Sequence, residues 1–98
     1  MEIELKKFGT TLTSRQAGKE AYAAFLPSLN NIAKDEMIEV NFAGVNTFSP
    51  SWGDEFLTTL IKIYKDKILL VNTNNLSVQT TINLLEEING YKFKMEQR

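Results

Sequence analysis

The polar chemistry of this sequence is concentrated in one segment near its middle, where two serines flank a proline, aromatic residues lie on either side and two acidic residues follow. The members of this segment are Phe48, Ser49, Pro50, Ser51, Trp52, Asp54 and Glu55. Serine, proline and acidic residues in this order are typical of a helix start, where backbone N–H groups lack partners and negative charge is favoured. Such a start can bind an anion, and a serine in it can accept a phosphate group. We therefore predict that this segment contacts a protein partner and that Ser51 and Ser49 are candidate phosphorylation sites.

The helix can begin in two ways. With Ser49 as the N-cap, Pro50 occupies the first helical position, where its missing N–H removes no hydrogen bond. With Ser51 as the N-cap, Asp54 follows three residues later, in an acidic variant of the capping box. In both cases Asp54 and Glu55 lie near the first turn, where each stabilises the helix by about 0.3–1 kcal/mol at most. A phosphate on either serine would be repelled by these carboxylates, which would loosen the turn or the grip of a partner.

The aromatic residues of the segment have two interpretations each. Trp52 either packs the helix start onto the sheet or is an exposed anchor for a partner's pocket, since Trp is enriched among interface hot spots. Phe48 either packs against the first helical turns as a hydrophobic staple or belongs to the same contact surface. The exposure of the two side chains separates these alternatives.

The composition argues against several function classes. The chain has 98 residues, 43% of them hydrophobic, which is enough for one domain over residues 1–98 with a modest core. Its 11 basic and 12 acidic residues are not the charge balance of a nucleic-acid-binding protein. The absence of His and Cys removes the commonest catalytic base and the usual metal ligands. The adjacent carboxylates of Asp54 and Glu55 point about 100° apart on a helix, so they do not converge on one substrate atom. We expect no enzyme activity, no cofactor and no metal.

Apolar segments long enough to cross a membrane are missing from the sequence. The longest apolar stretches, residues 21–26 and 68–71, are far shorter than a membrane span. The first residues alternate polar and apolar side chains and lack the apolar core of a signal peptide. We therefore expect a cytoplasmic protein without membrane contact.

Hydrophobic periodicity predicts that strands and helices alternate along the chain. Strands are expected at residues 2–8, 37–42, 68–71 and, as a last edge strand, 91–95. Helices are expected at residues 13–34 with a kink or break at Pro27, from the serine segment to about residue 64, and at residues 76–88. The order β-α-β-α-β-α-(β) predicts an α/β fold with a largely parallel sheet covered by helices.

Several stretches of the sequence together resemble a STAS-like domain family. Residues 40–45 (VNFAGV) are similar to a strand of the "DF-x-G-V" type, and residues 48–57 (FSPSWGDEFL) to the helix start of the "SFADEL" type that follows it. Residues 12–17 (LTSRQA) resemble the family's "L-x-S-R" helix entry, and residues 72–82 its last helix. The stretches occur in the family's order and cover nearly the whole chain.

The resemblance implies the α/β (α+β) fold of the bacterial anti-sigma factor antagonists. That fold has a central mixed or parallel sheet of about four strands, with helices packed mainly on one face. In those antagonists a serine at this helix start is phosphorylated by a kinase of the GHKL ATPase type, and the alignment places Ser51 at the acceptor position. The implied partners are a GHKL-type ATPase or kinase, or a sigma or anti-sigma regulator. Two other functions stay open, namely an anion- or nucleotide-sensing domain that uses the same helix start, and a structural dimerisation unit with Trp52 at its interface.

Overall fold

The computed structural model describes all 98 residues, which form helices and two parallel sheets. The strands are β1 (Glu2–Glu4), β2 (Thr11–Leu12), β3 (Ile38–Asn41), β4 (Thr47–Phe48), β5 (Ile68–Val71) and β6 (Lys94–Glu96). The α-helices are α1 (Arg15–Leu29), α2 (Pro50–Gly53), α3 (Thr59–Tyr64) and α4 (Leu76–Asn89). A π-helical segment, Asp54–Thr58, joins α2 to α3, so residues 50–64 form one continuous helix that we call the central helix.

The main sheet has four parallel strands in the order β1-β3-β5-β6, which is also their order along the chain. Crossover connections between neighbouring parallel strands are nearly always right-handed, so strands that are added in sequence place their helices on the same face. The burial of β3 agrees with this, because Ile38 and Val40 are buried while Glu39 and Asn41 are half-buried. The predicted α/β fold with about four strands and helices on one face is therefore confirmed, and the sheet is parallel rather than mixed.

The other face of the sheet has no helix and carries polar side chains. Arg98 crosses it and donates to both Glu39 carboxylate oxygens, over 2.9 and 2.6 Å, and to Glu96 over 2.7 Å. The hydrogen bonds from Arg98 hold the pKa of Glu39 below its usual value. Val71 is fully buried but lies outside the main hydrophobic cluster. Ion pairs thus replace a helix layer on this face.

Between the sheet and the helices lies a core that is rich in aromatic side chains. One run of neighbouring rings passes from Phe42 at the end of β3 through Phe48 to Trp52 and Phe56 in the central helix. Phe8, in a 3₁₀ turn after β1, packs on both Trp52 and Phe56. The beginning of the central helix is therefore built into the core rather than laid on its surface.

Several element boundaries differ from the prediction. The strand expected at residues 2–8 ends after Glu4 and continues as the 3₁₀ turn Leu5–Phe8, and the last strand lies at Lys94–Glu96 rather than at 91–95. The first helix continues through Pro27 without a break and ends at Leu29. The second short segment that was predicted to reach residue 34 is absent. Pro27 lies in the last turn of α1, where its missing N–H removes a single hydrogen bond before the helix ends at Leu29.

Candidate functional site

Two helix starts lie side by side at one end of the molecule. The short strands β2 and β4 pair in parallel, with Thr11 opposite Thr47 and Leu12 opposite Phe48. The pairing continues beyond the strands, because the Ser49 N–H donates to the Leu12 carbonyl over 2.9 Å. Strand β2 leads within three residues into α1, and β4 leads within two into α2. This strand pair holds the serine segment beside the start of α1.

The hydroxyl of Ser49 is used twice by the fold. It accepts a hydrogen bond from the Trp52 N–H over 3.3 Å, as an N-cap does, and donates to the Thr13 carbonyl over 2.7 Å. The helix begins at Pro50, so the assignment of Ser49 as N-cap is confirmed and that of Ser51 is wrong. The physical reason is that Ser49 has the extended backbone of a cap, and the fixed φ of Pro50 suits the first helical position. A phosphate on Ser49 would replace the hydroxyl hydrogen and therefore remove the hydrogen bond to the Thr13 carbonyl.

Ser51 has a different environment, although it lies only two residues further along. Its side chain is half-buried, and its hydroxyl is in no hydrogen bond with the protein. The Tyr22 hydroxyl is the one fully buried side-chain polar atom that lacks a partner, so the Ser51 oxygen reaches solvent. Ser49 is half-buried as well, so the two candidate serines differ in that only Ser51 has a hydroxyl without a hydrogen bond to the protein.

The aromatic residues of the segment point inward. Phe48 and Trp52 are each only 1% exposed. The Trp52 ring stacks on Phe56 with centroids 5.0 Å apart and the Phe48 ring meets it edge-on at 5.9 Å. The interpretation of Trp52 as an exposed anchor is wrong, and the Phe48 side chain cannot contact a partner either. Both residues have the packing role that was the alternative, because their rings fill the space between the helix start and the sheet.

The acidic residues of the segment are joined to the neighbouring helix by an ion pair. One guanidinium nitrogen of Arg15, Nη1, lies 2.9 Å from Asp54 Oδ2 and 3.2 Å from Glu55 Oε1. The hydrogen bonds to Asp54 and then to Glu55 raise the pKa of Arg15 above its usual value. All three side chains are partly exposed, so this cluster is screened by solvent and salt. Sequence reasoning missed this link because its partners are 39 and 40 residues apart.

Few backbone donors remain free at this helix start. Pro50 has no N–H, and the Trp52 and Gly53 N–H groups donate to the Ser49 hydroxyl and carbonyl. Only the Ser51 N–H is without a partner among the first four helical positions. One donor close to two carboxylates is a poor anion site, because anion binding at helix starts uses several converging N–H groups.

A second group of hydroxyls, on α4, fixes the residue before the cap. The Phe48 N–H donates to Ser77 Oγ over 3.0 Å, and the Thr81 hydroxyl donates to the Phe48 carbonyl. Ser77 and Thr81 are four residues apart and therefore lie on the same side of α4. They satisfy the backbone of β4 where no further strand pairs with it. The i, i+4 pair of hydroxyls on a helix was the signal in the sequence that could have identified them.

The surface that remains for a partner is smaller than the predicted segment. Its accessible members are the exposed Arg15 and Pro50 and the half-buried Ser51, Asp54 and Glu55. We call these five residues the Ser51 surface. A shallow groove of about 510 Å³ begins beside it at Pro50 and runs between β4 and α4.

Neither a metal site nor a relative identifies the chain further. No three or more His, Cys, Asp or Glu side chains come together in a way that could hold a metal ion. None of the helices combines the length and the apolar character that crossing a membrane requires. Comparison with protein-family models, with curated proteins and with solved structures gives no match.

Proposed function

We propose that this chain is a small regulatory module that docks a protein partner through the Ser51 surface, and that phosphorylation of Ser51 switches the docking. The observation that carries the proposal is the contrast between the two serines. The hydroxyl of Ser49 is held by two hydrogen bonds, whereas that of Ser51 reaches solvent from a helix start whose next two residues, Trp52 and Gly53, are buried. A group can be added to the Ser51 oxygen without removing a hydrogen bond that this oxygen makes.

The ion cluster beside Ser51 gives the switch a physical mechanism. Asp54 and Glu55 follow Ser51 by three and four residues, the spacing at which helical side chains are neighbours. A phosphate on Ser51 adds close to two negative charges beside these carboxylates and competes with them for Arg15. The charge of the Ser51 surface and the link between α1 and the central helix therefore change together. A partner that reads this surface would bind the two forms with different affinity.

The geometry favours docking over the other two functions. The sensor hypothesis needs several free N–H donors, and only the one of Ser51 remains. The dimerisation hypothesis drawn from the sequence needs Trp52 at an interface between two copies, but Trp52 is buried in the core of the single chain. The resemblance to anti-sigma factor antagonists supports a cytoplasmic GHKL-type ATPase or kinase, or a sigma or anti-sigma regulator, as the partner.

The test compares variants that differ in charge at matched serines. Ser51→Asp adds charge at the Ser51 surface, and Ser28→Asp adds it at an exposed serine near the other end of α1. The two variants and the wild-type chain are used to capture proteins from the native host. We expect a partner that the wild-type chain and Ser28→Asp retain and that Ser51→Asp loses or binds at least about tenfold more weakly. Retention of the same proteins at equal affinity by all three chains would refute the proposal.

A second arm separates the site of modification from the site of docking. The captured partner, or a kinase that co-purifies with it, is incubated with the chain and ATP. We expect phosphate on the wild-type chain and on Ser49→Ala, and none on Ser51→Ala. Phosphate on Ser51→Ala would place the modification elsewhere, while leaving the docking measurement valid.

A further inference from the structure

The helix α4 carries an apolar row on the side that faces away from the core. Leu76 is 77% exposed, Leu84 38% and Ile88 66%. Together with the exposed Thr80 they are spaced by four residues, which places them in one ridge along the helix. We call Leu76, Thr80, Leu84 and Ile88 the α4 stripe. Three of the seven large hydrophobic side chains that are exposed in this chain lie in this one row, so the row is a candidate contact surface.

The surroundings of the stripe lack charge. No residue from 75 to 85 is charged, although charged residues make up 23% of the chain. The groove of about 510 Å³ that borders the stripe, between Leu76, Leu84 and Pro50, has no charged lining residue either. A solvated helix face usually carries charged side chains, whereas depletion of charge around aliphatic residues is typical of the centre of a protein interface. The surface is therefore suited to a protein and not to a charged small ligand.

We infer that the α4 stripe binds a second copy of this chain, with the two α4 helices antiparallel about a two-fold axis. The axis passes between Thr80 and Leu84, so that Thr80 faces the other copy's Leu84 and Leu76 faces its Ile88. Each copy offers the same four-residue ridge, and two such ridges interdigitate when helix axes cross at about −50°, the commonest class of helix packing. The surface is thus complementary to itself, which is the requirement for a two-fold contact.

Charges at the two ends of α4 favour the antiparallel arrangement. Glu87, which is exposed next to the stripe, lies near the C-terminal end of the helix. The first turn, after the cap residue Asn75, has no acidic side chain and carries the partial positive charge of a helix start. A two-fold axis brings Glu87 of each copy towards that end of the other copy. A parallel arrangement would instead bring the two Glu87 carboxylates together.

The size of the surface predicts a reversible dimer. The stripe spans twelve residues, or about 18 Å, and with a helix width of roughly 10 Å it covers about 180 Å² in projection. A standard interface buries about 800 Å² on each partner, which is roughly 15% of the 5408 Å² surface of this chain. The contact is therefore several times smaller than a standard interface, and we expect the dimer to be weak and to form only towards the upper end of the accessible concentrations. The inference does not rest on the role proposed for Ser51.

Sedimentation velocity on the full chain, from about 1 µM to about 1 mM, tests the inference. We expect the wild-type chain to shift from monomer to dimer over this range. Leu76→Lys and Ile88→Lys should each raise the dissociation constant by about tenfold or more, because each puts a charge into both copies of the Leu76–Ile88 contact. The matched control is Ile63→Lys, since Ile63 is a 58% exposed aliphatic residue on α3. Emission of Trp52 in every variant verifies that the fold is intact.

A monomeric wild-type chain at the highest concentration would overturn the inference, as would an equal effect of Ile63→Lys. Cysteine variants test the orientation, because the natural chain has no Cys. Oxidation of Leu76→Cys alone should give no linked dimer, since the two thiols would be separated by about 18 Å along the helices, beyond the roughly 7 Å limit between α-carbons for a disulfide. Mixing Thr80→Cys with Leu84→Cys should give a mixed disulfide. Efficient linking of Leu76→Cys alone would show that the helices are parallel and refute the antiparallel arrangement.

Discussion

Gly18 is where α1 lies closest to the helix start, and replacing it by alanine tests that contact. A β-carbon at this position would lie 2.7 Å from the Trp52 carbonyl oxygen and 3.0 Å from its α-carbon, whereas ordinary contact is 3.4–4 Å. Because these are backbone atoms, no side-chain rotation relieves the overlap, and α1 must move away by about 0.7 Å. Overpacking of this kind costs roughly 1–3 kcal/mol. Alanine is preferred to glycine in a helix interior by about 0.8–1 kcal/mol.

The two effects have opposite signs, which makes the result decisive. We expect Gly18→Ala to lower the free energy of unfolding by up to about 2 kcal/mol, because the overlap with backbone offsets or outweighs the gain of about 0.8–1 kcal/mol in helix propensity. Urea unfolding can be followed by fluorescence, since Trp52 is the only Trp and is 1% exposed in the folded chain. The control is Ala24→Gly at an exposed position of α1, which should lose about 1 kcal/mol from propensity alone. If Gly18→Ala were more stable than the wild-type chain by about 1 kcal/mol, propensity would be acting alone and the described contact would be wrong.

Two further predictions concern hydrogen bonds that hold the site and the open face of the sheet. Thr81→Val removes the hydroxyl that bonds the buried Phe48 carbonyl, so it should lower the free energy of unfolding in urea by about 1–3 kcal/mol. The control, Thr80→Val at the exposed neighbouring position, should change that free energy by no more than about 0.5 kcal/mol. Equal effects of the two variants would contradict the role of Thr81. The pKa of Glu39 is lowered by Arg98, so its contribution to stability is present above the usual carboxylate pKa and is lost as the pH falls through the lowered value. The difference in urea midpoint between the wild-type chain and Glu39→Gln should therefore be present at neutral pH, begin to shrink near the usual pKa of about 4.5, and vanish only once the pH has fallen through the lowered pKa of Glu39. A difference that is constant with pH would refute the ion pair.

The sequence predicts the fold class well because long periodic segments record which side of an element is buried. The alternation of Ile38 and Val40 with polar residues is enough to place β3, and the continuous run Ile68–Val71 places β5. The two-residue strands β2 and β4 are too short for any period to show. Their pairing depends on contacts between residues 36 positions apart, which only the complete chain defines.

The helix start shows the same limit at the level of single residues. Both Ser49 and Ser51 satisfy the sequence rules for an N-cap. The cap that forms, at Ser49, is accompanied by a hydrogen bond from the Ser49 hydroxyl to the Thr13 carbonyl, which the local sequence does not indicate. The burial of Trp52 was open to prediction, because Trp52 and Phe56 are four residues apart and therefore continue the apolar stripe of the central helix. The ion pair of Arg15 could not be predicted, since nothing local in the sequence connects α1 to the acidic residues Asp54 and Glu55.

The exposure of the Ser51 hydroxyl follows from the burial and hydrogen bonding of its neighbours. Successive residues of a helix point about 100° apart, so the inward direction of Trp52 turns the Ser51 side chain away from the core. The cap at Ser49 and the hydroxyl of Thr81, which holds the preceding backbone, fix the helix start in this orientation. A modification on a residue held in this way changes the charge of the surface and its Arg15 ion pair while the hydrogen bonds of the Ser49 cap stay in place. A phosphorylation switch requires an acceptor hydroxyl that the fold does not need. The Ser51 hydroxyl meets this requirement because the hydrogen bonds that hold the helix start come from Ser49 and not from Ser51.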